Sequence, residues 1–298
     1  MAMRMLRKFI QTNNQILIIG SRSVGNINIP TNLHTDRNVI LNEEKKNMNG
    51  DINYANDEES NNNETNYEEV TSMPLYEHHI PTTCIQKSIL SMGAAATALL
   101  NPWRHDMVAV LGETTGHPAL KIIHRMMMED NEGQIILQEK PRINTKSVDI
   151  LALSKLPEDT LGYAYFKFLK DNNVTPDTRM PVQYVDDVDL AYVMQRYRES
   201  HDLFHTVLGM PTNMIGEVAV KWVEGLQTGL PMCISGAIFG PLRFKSKQRR
   251  KYIETYLPWA LRVGANSKYL MNIYFERRWE QPLNELRDEL GIEYPPEI

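Results

Sequence analysis

Ser200-His-Asp-Leu-Phe-His-Thr-Val-Leu-Gly-Met-Pro-Thr-Asn-Met-Ile-Gly-Glu217 is a helix, a break and a returning helix in quick succession. His201 and His205 are four residues apart, so one turn of about 3.6 residues sets both imidazoles on one face. Asp202, three residues before His205, can lean towards the same point. Gly209 suits a C-terminal cap and Pro211 cannot extend the helix. Thr212 or Asn213 can cap the next helix, one turn before Glu217. Two imidazoles and two carboxylates brought together this way form a mixed nitrogen and oxygen donor set suited to zinc, iron or manganese. The spacing is not that of zincins, because no Glu follows the first His. A phosphohydrolase built on a His-Asp dyad needs an earlier His and a later Asp, and Arg104-His105-Asp106 offers only a second dyad.

The rest of the chain reads as helical support. Ile85 to Leu100 is apolar at helical spacing and stops at Asn101-Pro102, and Trp103 to Leu111 gives a short helix. Gly112-Glu113-Thr114-Thr115-Gly116 reads as a loop, too short and without the preceding strand of a phosphate cradle. A helix from His117 passes Met126-Met-Met128, which either fills the core or lines a flexible pocket. Glu132-Gly133 reads as a turn and Ile135 to Leu137 as a short β-like run. Val148 to Leu156 and Asp159 to Asn172 read as helices, the second with Tyr163, Tyr165, Phe166 and Phe168 as core or as the lining of an apolar groove. Asp186, Asp187 and Asp189 read as caps for the helix that enters the central stretch. Further helices are expected around Tyr252 to Gly264, Tyr269 to Trp279 and Pro282 to Leu290. The expected fold is mainly α, a single helical domain with the metal site between two helices joined by a tight turn.

Composition narrows the class. A chain of 298 residues, 42% hydrophobic, can bury a substantial core. Net charge of -5 argues against a general nucleic-acid binder. Cys84 and Cys233 are far apart, form no CxxC pair and read as small core residues in a reducing compartment. No apolar run approaches the roughly 20 residues of a membrane span. Residues 1–35 carry Arg4, Arg7, Lys8 and Arg22, with Met5, Leu6, Phe9 and Ile10 interleaved and no acid before Asp36. That pattern is expected of a mitochondrial transit peptide. From Asn38 to Glu69 the sequence turns to Asn, Glu, Asp and Lys, so residues 36–72 read as a disordered linker and 73–298 as the folded domain. Arg243, Lys245, Lys247, Arg249, Arg250 and Lys251 form a basic segment, either solvated or facing an anionic membrane or acidic substrate.

His201-Asp-x-x-His205, eleven residues and Glu217 together resemble the coenzyme Q (ubiquinone) biosynthesis protein 4 family. Leu111-Gly-Glu-Thr-Thr-Gly116, Arg142-Ile-Asn144, Tyr197-Arg-Glu199, Pro211-Thr-Asn213, Gln227-Thr-Gly-Leu-Pro231, Phe239-Gly-Pro-Leu-Arg243 and Tyr274-Phe-Glu-Arg-Arg-Trp-Glu280 extend the resemblance in order across residues 73–292. It implies a peripheral protein on the matrix side of the inner mitochondrial membrane, in a complex with other ubiquinone-biosynthesis proteins. The implied activity is a carbon–carbon lyase reaction, C1-decarboxylation of a polyprenylated 4-hydroxy-3-methoxybenzoate intermediate. The implied metal ligands are His201, Asp202, His205 and Glu217, with zinc as the ion. Two competing expectations stand beside it: an oxidative decarboxylase or hydroxylase using iron, and a non-catalytic lipid-binding scaffold with a structural metal.

Overall fold

The computed structural model describes residues 73–101 and 104–296. The transit-peptide and linker expectations, on residues 1–35 and 36–72, lie outside the described residues. Within them the chain is mainly α, and no β-strand occurs; one isolated antiparallel bridge joins Thr160 and Pro282. Helix α1 (Cys84–Leu100) starts at a capping box between Thr83 and Gln86. It packs on α2 (His105–Thr115). Helices α3 (His117–Met128) and α4 (Asn131–Glu139) form the next packed pair. After the single turn α5 (Ile150–Leu153) comes α6 (Leu161–Asn172), capped by Thr160.

Helix α7 (Val188–Leu208) is the axis of the domain. Asp187 caps it, its side chain accepting from the Asp189 and Leu190 N–H groups. Almost every residue of α7 is buried, because α3, α6, α8 (Met214–Thr228) and α12 (Leu283–Leu290) pack around it. Helix α8 in turn carries α9 (Pro231–Phe239) and α11 (Leu257–Asn266), the latter preceded by the short α10 (Ser246–Lys251) and a π turn over Tyr252–Tyr256.

A fully buried helix would ordinarily be apolar, yet α7 carries Arg196, Arg198, Glu199, His201, Asp202 and His205, all buried. Buried charges persist only when paired, and here each Arg and carboxylate is. Arg196 holds Glu276 and donates to the Ile273 carbonyl at 3.0 Å. Arg198 meets Glu113 at 2.6 Å. Glu199 accepts from Arg142 at 2.6 Å and from the Ile143 N–H at 2.8 Å. Each pair ties α7 to a different part of the domain, so the site lies on a helix anchored at several points.

Five local expectations are corrected. The segment Gly112–Thr115 is the last turn of α2 rather than a loop, with the Thr114 and Thr115 hydroxyls donating back to the Val110 and Leu111 carbonyls. The turn at Glu132-Gly133 and the β-like run Ile135–Leu137 are one helix, started by Asp130, whose carboxylate accepts from the Gly133 N–H. Tyr269 to Trp279 is irregular, with two 3-10 turns at Leu270–Asn272 and Phe275–Arg277. Cys84 is exposed in the first turn of α1, and only Cys233 is a core residue.

Candidate metal centre

Gly209 ends α7 at φ +64°, a left-handed cap that lets the chain reverse. The Met210 N–H returns to the His205 carbonyl at 3.0 Å. Asn213 caps α8, accepting from the Ile215 and Gly216 N–H groups. Gly216 fits because the turn leaves no room beside it: an added Cβ would lie 2.0 Å from the Pro211 carbonyl oxygen. Glu217 is thereby delivered against the two histidines of α7.

The side chains of His201, His205 and Glu217 converge, with one ligand atom from each lying within 4.8 Å of the others. His205 Nε2 is 3.4 Å from Glu217 Oε1, and His201 Nε2 is 3.8 Å from Glu217 Oε2. Donors around a tetrahedral ion with bonds of about 2.0–2.2 Å are about 3.3–3.6 Å apart, so small side-chain rotations would close the set. The imidazole rings stand edge to face, centroids 4.8 Å apart. His205 donates from Nδ1 to the Met210 carbonyl at 3.0 Å, while its Nε2 is buried without a hydrogen-bond partner. A buried imidazole nitrogen that makes no hydrogen bond and faces a carboxylate oxygen 3.4 Å away is the environment of a metal ligand rather than of a core histidine. The donor set therefore fits a divalent cation of the zinc, iron or manganese type.

Asp202 is placed differently. One residue after His201, it is turned about 100° around α7, and its carboxylate is tied to Arg179. The structure thus brings three of the four expected ligands together and leaves Asp202 beside them, held by a guanidinium whose Nε is buried and unpaired.

Sequence spacing missed the polar cluster behind the site. Glu224 is 2% exposed, seven residues after Glu217 on the same face of α8. Its Oε1 is 2.5 Å from His201 Nδ1, and its Oε2 accepts from Lys221 Nζ at 2.7 Å and the Tyr197 hydroxyl at 2.9 Å. Tyr197 also touches the Cys233 sulfur at 3.0 Å. The available signal was Lys221 and Glu224, charged residues four and seven positions after Glu217 in an otherwise apolar run.

The charges reinforce one another. Burial works against an ionised Glu224, but Lys221 and His201 outweigh it and hold the carboxyl far below the usual range. Burial likewise works against an ionised Glu217, but the adjacent His201 and His205 imidazoles outweigh it and hold its carboxyl far below the usual range. Burial and Lys221 disfavour a charged His201, yet Glu224 and Glu217 outweigh them, so its pKa is raised. Burial pushes the Cys233 thiol up to about 12, which makes it an unreactive neighbour.

A solved structure of a Nostoc punctiforme protein superimposes with a TM-score of 0.57, covering 69% of this chain and 98% of that one at 21% identity, which shows a shared fold. The human ubiquinone biosynthesis protein COQ4 homolog, mitochondrial, is 56% identical over 223 residues, covering 75% of this chain and 84% of that protein. The Anopheles gambiae protein of the same name is 58% identical over 216 residues, 72% and 77% of the two chains. Residues 76–296 match the family described as coenzyme Q (ubiquinone) biosynthesis protein Coq4, and the chain belongs to that family.

Proposed function

We propose that this protein takes part in ubiquinone biosynthesis in mitochondria as a metal-dependent carbon–carbon lyase. Its substrate would be a polyprenylated 4-hydroxy-3-methoxybenzoate, from which it removes the C1 carboxylate within a complex of pathway proteins on the matrix side of the inner membrane. Family membership and the mitochondrial names of the relatives support the pathway and compartment. The observation that carries the chemistry is the convergence of His201, His205 and Glu217, with His205 Nε2 buried and unsatisfied. Asp202 is the fourth ligand in this reading, after release from Arg179.

Held by His201, His205 and Glu217, a zinc ion would supply Lewis acidity, binding the aryl carboxylate or a phenol oxygen and so orienting the ring. Loss of carbon dioxide leaves the bonding pair on ring carbon C1, where a proton takes it up. The two histidines hold their Nε2 atoms into the site from a helix fixed on all sides. Glu217, whose side chain is 36% exposed, forms the side that solvent and substrate reach. The test is carbon dioxide release by the full chain from a prenylated 4-hydroxy-3-methoxybenzoate, with Glu217→Ala as control. Release by the parent alone is expected. Equal release by both proteins would contradict the site assignment, and zinc-loaded parent without turnover would favour the scaffold.

Peripheral membrane contact has its own support. Among the described residues no helix is long and apolar enough to cross a membrane. Yet Ile85, Ile89, Met92 and Leu99 form an outward stripe on α1, 56–74% exposed. No acidic residue lies between His78 and His105 or between Gly225 and Ile253, and the second interval holds all six cations of the basic segment. Apolar stripes flanked by cations suit an anionic bilayer surface. The full chain is expected to pellet with anionic vesicles at low salt and to lose most of that binding in I89E/M92E. Unchanged binding by the variant would contradict this contact.

A further inference from the structure

We propose that Glu224 is a positioning residue for the metal centre, keeping the His201 proton on Nδ1 so that Nε2 is bare and available to coordinate. This inference rests on the metal reading above. A neutral imidazole carries one proton on either nitrogen, and only the bare nitrogen is a ligand. Whatever faces Nδ1 therefore decides what Nε2 can do.

The two histidines solve the same problem with different partners. His205 Nδ1 faces the Met210 carbonyl at 3.0 Å, a group that only accepts, so its proton belongs on Nδ1. His201 has no backbone oxygen there and instead meets Glu224 Oε1 at 2.5 Å. An ionised carboxylate also only accepts, and it gives the same tautomer. An amide in that position would not, because it can present either its oxygen or its NH2 group.

The rest of the cluster keeps Glu224 ionised and aimed. Lys221 Nζ and the Tyr197 hydroxyl both donate to Oε2, which leaves Oε1 for His201 and stops the carboxylate from rotating. An anion that is 2% exposed needs such compensation. Lys221, four residues from Glu217 and three from Glu224, supplies it from the same face of α8. One face of one helix thus presents the inner carboxylate Glu217 to the cation and the outer carboxylate Glu224 to the imidazole behind it. Carboxylates in that outer place orient metal-bound histidines, and their loss typically weakens metal binding 10- to 100-fold.

The test uses the full chain with nitrogen-15-labelled histidine. Metal is stripped by a chelator and spectra are recorded above the imidazole titration range, since the His201 pKa is raised. Loss of signals in His201→Asn assigns the His201 ring. The parent should show His201 and His205 as Nδ1–H tautomers. Glu224→Gln should give a mixture at His201, leave His205 unchanged and raise the zinc Kd by about 10- to 100-fold. If Glu224→Gln does not fold, Lys221→Met/Glu224→Gln removes cation and anion together and is read by the same two measurements. A variant with the parent's tautomer and zinc Kd overturns the role of Glu224 and leaves the metal reading standing. A folded parent chain that binds no zinc overturns the metal reading, and the positioning role falls with it.

Discussion

Gly216→Ala is expected to abolish zinc binding by the folded chain, although Gly216 itself supplies no ligand atom. The new methyl would lie 2.0 Å from the Pro211 carbonyl oxygen and 3.0 Å from Pro211 C and Cδ, all in the turn joining α7 to α8. Side-chain Cβ atoms are essentially never found closer than 3.0 Å, so the turn would have to open by about 1 Å. Neither end can give way cheaply. Gly209 caps α7 in the left-handed region, and Asn213 holds the first N–H groups of α8. The overpacking itself should cost about 1–3 kcal/mol. Its larger effect falls on Glu217, the next residue, because a shift of about 1 Å far exceeds the roughly 0.2 Å tolerance of metal–ligand distances. Zinc content after gel filtration checks this, with Gly93→Ala as control, since an added Cβ there meets nothing within 4 Å. Parent-like zinc content in Gly216→Ala would contradict the tight-turn account.

Glu113→Ala should be the most destabilising single substitution away from the site. Glu113 is 4% exposed and satisfies three donors at once. They are Arg198 Nη2 at 2.6 Å and the Gln183 and Tyr184 N–H groups at 2.7 and 2.6 Å. Alanine would leave a buried guanidinium with only the Ala109 and Met180 carbonyls, and two backbone donors with nothing. Breaking a buried pair from one side costs about 3–5 kcal/mol. At about 2–4 °C per kcal/mol for a domain of this size, Tm should fall by roughly 10 °C. Urea unfolding at neutral pH measures it directly; a loss below about 1 kcal/mol would contradict the pairing.

The turn at the centre of the fold was legible because its signals are local. Gly209, Pro211 and Asn213 each act through the backbone of their own neighbours, so the sequence alone places a C-terminal cap, a stop and an N-terminal cap. The helices at Gly112–Thr115 and Ile135–Leu137 were not, since Gly, Thr and Ile are weak helix formers. What holds those helices is hydroxyl back-bonding at Thr114 and Thr115 and the cap at Asp130. The irregular path from Tyr269 to Trp279 depends on partners far away, with Glu132 accepting from the Tyr274 N–H and from Arg278. The same division runs through the site. His201, His205 and Glu217 follow from helical spacing and one turn. Arg179 beside Asp202 and Lys221 behind Glu224 are matters of burial and tertiary pairing, which spacing does not encode.

The most direct test of the metal centre is X-ray absorption at the zinc edge on the full chain, purified without chelator. The account predicts bound zinc in a shell of nitrogen and oxygen donors at about 2.0–2.2 Å, two of them imidazoles, lost in Glu217→Ala. A sulfur shell at about 2.3 Å, or no zinc above background, would contradict it.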